Sequence, residues 1–176
     1  LEHNEYGITA INALAFIEEH LINQEGRLLR RYRDGEAKFP AYLSDYAQLG
    51  LACLDIYAWN YEPQYVLKAH HWANEINRLF LNPDGAYFET GFDAEEVLVR
   101  KADGYDGVEP SGNTSTALLF LKLASFGMGS GLLRDAERIL HSFSPHLHQA
   151  GVNFSAMLNA LILSLIHISE PTRHTR

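Results

Sequence analysis

A helical fold built in two layers, as part of an α/α toroid, is what the sequence predicts, and three observations carry the prediction. Helical segments that are uncharged around most of their circumference alternate with segments that are apolar on one side only. The segments follow one another at irregular spacing. One long polar stretch, Asn82 to Glu109, interrupts them. In a double ring the inner helices touch neighbours on all sides and the outer ones cover them, so buried and amphipathic stripes must alternate. A plain bundle would show one-sided stripes throughout, and a tetratricopeptide-like array would show a short fixed period.

The elements follow in order. Ile8, Ile11, Ala15, Phe16 and Ile22 recur at helical spacing between Glu5, Asn12, Glu18 and Glu19, which predicts a one-sided helix. From Tyr42 to Trp59 only Ser44, Asp45, Gln48 and Asp55 break an apolar surface, so this helix belongs inside. Val66, Leu67, His70, Ala73, Ile76, Leu79 and Phe80 form the next stripe, with Lys68, Asn74, Glu75 and Arg78 behind it. Within Asn82 to Glu109, the opening Pro83-Asp84-Gly85 and the partly alternating runs Ala86 to Thr90 and Glu96 to Arg100 predict a short β-ribbon at one mouth of the fold. Thr114 to Ala124 is again apolar all round. After Gly127-Met128-Gly129 a stripe returns through Leu132, Leu133, Ala136, Ile139, Leu140 and Phe143, and Phe154 to Ile162 reads as buried.

With 176 residues and 47% apolar content the chain can bury one sizeable core, and its net charge of −8 argues against a phosphate-backbone partner. Cys53 lies in an uncharged run and reads as a buried thiol in a reducing, cytoplasmic compartment. The first ten residues have no charged-then-apolar leader, and no apolar run reaches the eighteen or so residues of a membrane span. His70 and His71 point apart on a helix, and His141, His146 and His148 straddle Pro145, so no zinc spacing is met. No Walker or dinucleotide loop and no Gly-x-Ser-x-Gly elbow occurs. No metal or cofactor is expected.

The chemistry concentrates where Asp106-Gly107-Val108-Glu109-Pro110-Ser111-Gly112-Asn113-Thr114 runs into an uncharged helix. Pro110 fixes its own φ and pushes Glu109 into an extended conformation, while Ser111 and Asn113 are suited to accept bonds from the free amides of the first helical turn. This aims Asp106 and Glu109 at one mouth. A second block, Arg30-Arg31-Tyr32-Arg33-Asp34-Gly35, precedes Tyr42-Leu43-Ser44-Asp45-Tyr46-Ala47, and Gly85-Ala86-Tyr87-Phe88-Glu89-Thr90 lies between it and the first.

In this order, over roughly Leu28 to Leu140, the blocks resemble the C-terminal half of the spermatogenesis-associated protein 20-like family of thioredoxin-domain-containing proteins. The resemblance implies a fragment of an α/α toroid of the six-hairpin glycosidase kind, with a thioredoxin-like domain upstream. The chain departs from the pattern in having no Cys-x-x-Cys and in reading Asn113-Thr114 where the family has Asn-Ser. A toroid opens its inner-helix starts onto a central cavity, and sugar hydrolysis or epimerisation needs an acid and a base facing each other across the substrate. Asp45, Asp106 and Glu109 are the expected catalytic set. Tyr46 and Tyr105 are expected to line one shared cavity with Asp45 and Glu109, and Ser111, Asn113 and Arg31 complete the substrate-binding group. Arg31 and Arg33 either hold a carboxylate or pair with Asp34 and Glu36. The expected ligand is a small molecule or carbohydrate; the competing class is a non-catalytic binding or scaffold domain beside a thioredoxin-like module.

The end of the chain reads differently. Leu163 to Arg173 matches the in-frame translation of a transposase adapter used in sequencing libraries, so residues 1–162 are expected to be the toroid fragment and residues 163–176 to be non-native and to add no packing. Both ends then look like fragment ends, with Ile8, Ile11, Leu158 and Ile162 left exposed at open edges of the ring.

Overall fold

The structure, a computed structural model, describes residues 4–94 and 99–169. Helix α1 spans Asn4–His20. A two-stranded antiparallel hairpin follows, with β1 at Leu29–Arg33 and β2 at Glu36–Pro40. The remaining helices are α2 (Leu43–Asn60), α3 (Gln64–Phe80), α4 (Gly112–Ser125), α5 (Ser130–Ala150) and α6 (Ser155–Ser169), the last two joined by a 3-10 turn at Gly151–Phe154. Ser111 caps α4 by accepting the Thr114 amide at 3.1 Å. Tyr61 ends α2 in the left-handed region, where its amide reaches the Tyr57 carbonyl at 2.7 Å. Helix α5 passes through Pro145, which leaves the His141 carbonyl without its usual amide. The Ser144 hydroxyl donates to that carbonyl at 2.9 Å instead.

The fold is mainly helical, as expected, and α2, α4 and α6 stand side by side in one row, here called the inner row. Helix α2 packs on α3 and α4, and α4 packs on α5 and α6. The core runs through this row and the inward faces of α3 and α5, with Leu43, Tyr46, Cys53, Trp72, Ile76, Phe120 and Ile139 essentially out of contact with water. Gly50 permits the closest approach: a Cβ there would lie 2.6 Å from the Leu119 side chain. The starts of the three inner helices gather at one end. Gly112 lies against Leu43, and Asp106 binds amides at the beginnings of both α4 and α6.

Several expectations change. A two-stranded ribbon forms at Leu29–Pro40, around an Asp34-Gly35 turn with positive φ at both residues, and no strand pair forms among the described residues of Asn82 to Glu109. The latter stretch holds an isolated Leu81–Tyr87 bridge and a Glu89 amide bond to the Lys101 carbonyl, while residues 95–98 lie outside the described residues. Leu67, placed on the α3 stripe, is exposed, because residue 66 already occupies the inward angle. The helical stretch Gly131–Ile166 contains a window apolar enough to cross a membrane by length and composition, with 22% of it buried, so the sequence is richer in this respect than a search for unbroken apolar runs indicates.

The first residues of the tail pack, while Leu165 and Ile166 are exposed. Met157, Ala160 and Ser164 recur at helical spacing on the buried side of α6, and Leu163 rests on the core, because Leu163-Ser164-Leu165-Ile166 continues the period that precedes it. Residues 170–176 lie outside the described residues. Of the residues expected at open edges, Ile8 and Ile162 are exposed, whereas Ile11 is partly buried against the core.

Candidate functional site

At the end where the inner helices start, Ser44, Glu89, Asp103, Tyr105, Glu109 and Ser111 surround an open depression of about 350 Å³. Two loop segments build it. The Glu89 amide donates to the Lys101 carbonyl at 2.8 Å, and the Glu89 carbonyl accepts the Leu43 amide at 3.0 Å, which ties the loop to the first turn of α2. Gly112 provides the room: a Cβ there would meet Glu89 Oε2 and the Leu43 side chain, each at 3.1 Å.

Glu89 is the group with unusual chemistry. Its Oε1 is buried and has no hydrogen-bond partner among the described residues. Burial, helped by the nearby Asp103 carboxylate, pushes its carboxyl up to about 7; the Asp103 amide and Lys101 offset part of that. Near neutral pH it therefore exists in both protonation states and can give or take a proton. Burial pushes Asp103 the same way, but Lys101 and the Tyr105 and Gly104 amides outweigh it and hold that carboxyl below its usual range. The two acids are thus driven apart, the pattern that assigns one as proton carrier and the other as fixed charge. Among the described residues no group of three or more His, Cys, Asp or Glu is placed to hold a metal ion.

The expected site residues divide. Glu109, Tyr105 and Ser111 do share the depression. Asp45 does not: it accepts the Tyr42 amide at 2.8 Å, lies 3.9 Å from Arg30, and faces a separate hollow beside Leu21 and Gln48. Successive helix residues turn by about 100°, so Ser44 takes the position facing Glu109 and Asp45 turns away. Tyr46 is wholly buried, its hydroxyl accepting from Arg27 at 2.7 Å and from the Leu28 amide at 2.9 Å. Asp106 is occupied as a brace. One oxygen accepts the Ser111 amide at 3.0 Å and the Thr114 hydroxyl at 2.8 Å, and the other accepts the Met157 amide at 3.0 Å. Asn113 is fully buried and bonded to Tyr87 and Asp103 backbone. Arg31 stands on the hairpin, over the ring of Phe39.

Sequence reasoning passed over Glu89 and Arg27. A lone carboxylate in the otherwise uncharged run Ala86 to Phe92 is the available signal for Glu89. Arg27, 5% exposed, grips Asp93 with two nitrogens at 2.8 and 3.3 Å and also binds the Ala41 carbonyl. The close approach of Gly91, where a Cβ would lie 2.8 Å from the guanidinium, makes room for it.

These features define a mainly helical protein with a carboxylate-bearing depression at the gathered starts of its inner helices. The chain is similar to spermatogenesis-associated protein 20 of Mus musculus, 28% identical over 166 residues, covering 86% of this chain and 21% of that protein. The protein of the same name from Homo sapiens is 28% identical over 163 residues, with the same coverage. The chain therefore spans about a fifth of the length of the curated relatives it matches. No family model matches it.

Proposed function

We propose that this region is part of an α/α toroid of the six-hairpin glycosidase kind whose mouth takes a carbohydrate-type, polyhydroxylated ligand. Glu89 exchanges a proton with the ligand, and Glu109 is the opposed carboxylate. Supporting this reading, a half-protonated carboxyl with an unpartnered buried oxygen sits at the meeting point of the inner-helix starts. Tyr105 presents an exposed ring beside it for stacking, Ser44 brings a hydroxyl, and Ser111, whose hydroxyl is engaged by Thr114, forms part of the wall. In a protein of the relatives' length, a thioredoxin-like module accompanies this part in the cytoplasm, and neither nucleic acid nor membrane is a partner.

The exposure of Tyr105 favours a second reading, a binding domain without turnover, since proton-transfer sites usually exclude water. Titrating the whole protein with a panel of neutral sugars and polyols, while following the Glu89 carboxyl by carbon NMR, separates the two. A ligand that shifts this resonance and is turned over, with turnover falling roughly 10²- to 10⁴-fold in Glu89→Gln, supports catalysis. Binding that survives in Glu89→Gln, with no turnover in either form, supports the binding domain. A panel in which nothing moves the Glu89 signal sinks both.

A further inference from the structure

We propose that the β1–β2 hairpin is a docking surface for an extended acidic peptide of a partner protein; the inference stands apart from the ligand depression. Between Arg30 and Lys38 the hairpin carries four cations and two carboxylates, in a chain whose net charge is −8. Arg31 and Lys38 are direct cross-strand partners, an arrangement of like charges that weakens a hairpin. Arg33 and Arg31 share that face by strand alternation. Exposed carboxylates answer some of this charge, Asp34 to Arg33 at 3.3 Å and Glu36 to Lys38 at 2.8 Å, whereas Arg31 has no ion pair among the described residues. Its guanidinium lies instead over the Phe39 ring, 4.9 Å from the centroid.

Phe39 is itself hard to explain structurally. It has φ of 67°, in the left-handed region that a bulky residue avoids, and it precedes Pro40, which favours extended backbone at that position. It is also 55% exposed, so no core packing compensates for the strain. A strained, exposed aromatic under an unpaired arginine is a recognition feature: the stack pre-sets the guanidinium fork toward a carboxylate.

The partner's chemistry follows from its surroundings. A long polyanion or an anionic membrane surface would extend past the hairpin onto the acidic remainder of the chain and be repelled. An anionic partner must therefore have a small footprint. The Leu29 amide at the start of β1 is taken by the Leu21 carbonyl at 2.8 Å, but beyond it neither strand has a second strand neighbour among the described residues, so the turn-proximal part of the hairpin edge is left for an extended segment, with acidic side chains meeting Arg31 and Lys38.

The test uses the whole chain and a fluorescein-labelled peptide of alternating glutamate and threonine, read by anisotropy at low salt. The expected result is saturable binding that weakens with added salt and drops at least fivefold in Arg31→Glu and in Arg31→Gln, with melting temperature unchanged. Phe39→Gly should weaken binding severalfold while leaving the melting temperature equal or higher, since glycine relieves the strain. No binding of the peptide, binding indifferent to Arg31, or binding of heparin or phosphatidylserine vesicles in preference to the peptide would each overturn the proposal.

Discussion

The side-chain amide of Asn113 pairs with the backbone of Tyr87 as a neighbouring strand would: its oxygen accepts the Tyr87 amide at 2.8 Å and its nitrogen donates to the Tyr87 carbonyl at 2.9 Å. The same nitrogen donates to the Asp103 carbonyl at 2.9 Å, so one buried residue in the first turn of α4 holds both loop segments that frame the depression. Asn113→Ala would leave a buried amide and two carbonyls without partners. Unsatisfied buried groups each cost about 1–3 kcal/mol, so a loss of roughly 3 kcal/mol is expected in chemical denaturation. A loss below about 1 kcal/mol would mean that water or a shifted loop replaces these bonds.

Asp106 and Glu109, three residues apart, should behave oppositely. Asp106 joins the starts of α4 and α6, and replacing it by Ala removes three bonds, two of them to amides that have no acceptor inside their helices. Hydrogen bonds to charged groups contribute about 1.5–3 kcal/mol each, and partial rescue by solvent brings the expected cost to roughly 2–4 kcal/mol. Glu109→Gln, on an exposed carboxylate, should change stability by less than about 0.5 kcal/mol. Equal effects in thermal melts would contradict the division of the two acids into brace and depression wall.

The helices were readable because burial follows a 3.6-residue period that composition carries directly: α2, α3 and α4 begin and end within about two residues of their apolar runs. The site was readable only in part, for a geometrical reason. Sequence placed the start of α2 beside the start of α4 but could not give the rotation of α2, and a turn of one residue puts Ser44 rather than Asp45 at the depression. Glu89 escaped notice because its character comes from desolvation by Leu43 and Gly112, which lie far from it in the chain. Asn113 and Asp106 illustrate the opposite problem: a polar residue at a helix start looks functional until its bonds are counted.

Glu89 should make stability depend on pH. Its folded carboxyl titrates near 7, against about 4.3 in an unfolded chain, so between those values the folded state binds more protons than the unfolded state. Stability is then fully present below about pH 4 and declines as pH rises toward and through 7. The decline is on the order of 1–3 kcal/mol, discounted for partial solvent access. Glu89→Gln should flatten the profile and be the more stable form at pH 8. Parallel profiles for the two proteins would show that Glu89 titrates normally.

Gly50 sets how closely α2 approaches α4. Adding a methyl group there places it 2.6 Å from the Leu119 Cδ2, so Gly50→Ala gains helix propensity of roughly 1 kcal/mol but incurs overpacking of about 1–3 kcal/mol. The expected outcome is net destabilisation. Combining it with Leu119→Ala opens the needed space, and the double variant should be more stable than the sum of the single effects by about 1 kcal/mol or more. Additive effects in a double-mutant cycle would place the two residues out of contact and remove the close α2–α4 crossing on which the inner row depends.

Helix α1 is held weakly, and the groove beside it should bind apolar probes. Leu14 is its one buried side chain, supported by Ile11 and Ile17 at the core edge and by the Glu18–Lys68 ion pair to α3. Between α1 and α2 lies an apolar groove of about 640 Å³, with Ala10, Ala13, Leu49, Ala52, Ile56 and Trp59 along it. Trp59 is 41% exposed and lies against Gly7, where a Cβ would fall 2.3 Å from the indole. An open apolar surface of this size attracts hydrophobic dyes and promotes association. The isolated chain should therefore enhance the fluorescence of an anilinonaphthalene dye, with energy transfer from Trp59, and its α1 amides should exchange with solvent faster than those of α4. Ala52→Leu fills part of the groove and should reduce dye binding severalfold without lowering the melting temperature. A monomer with little dye binding, or dye binding untouched by Ala52→Leu, would show that α1 closes over this surface in solution.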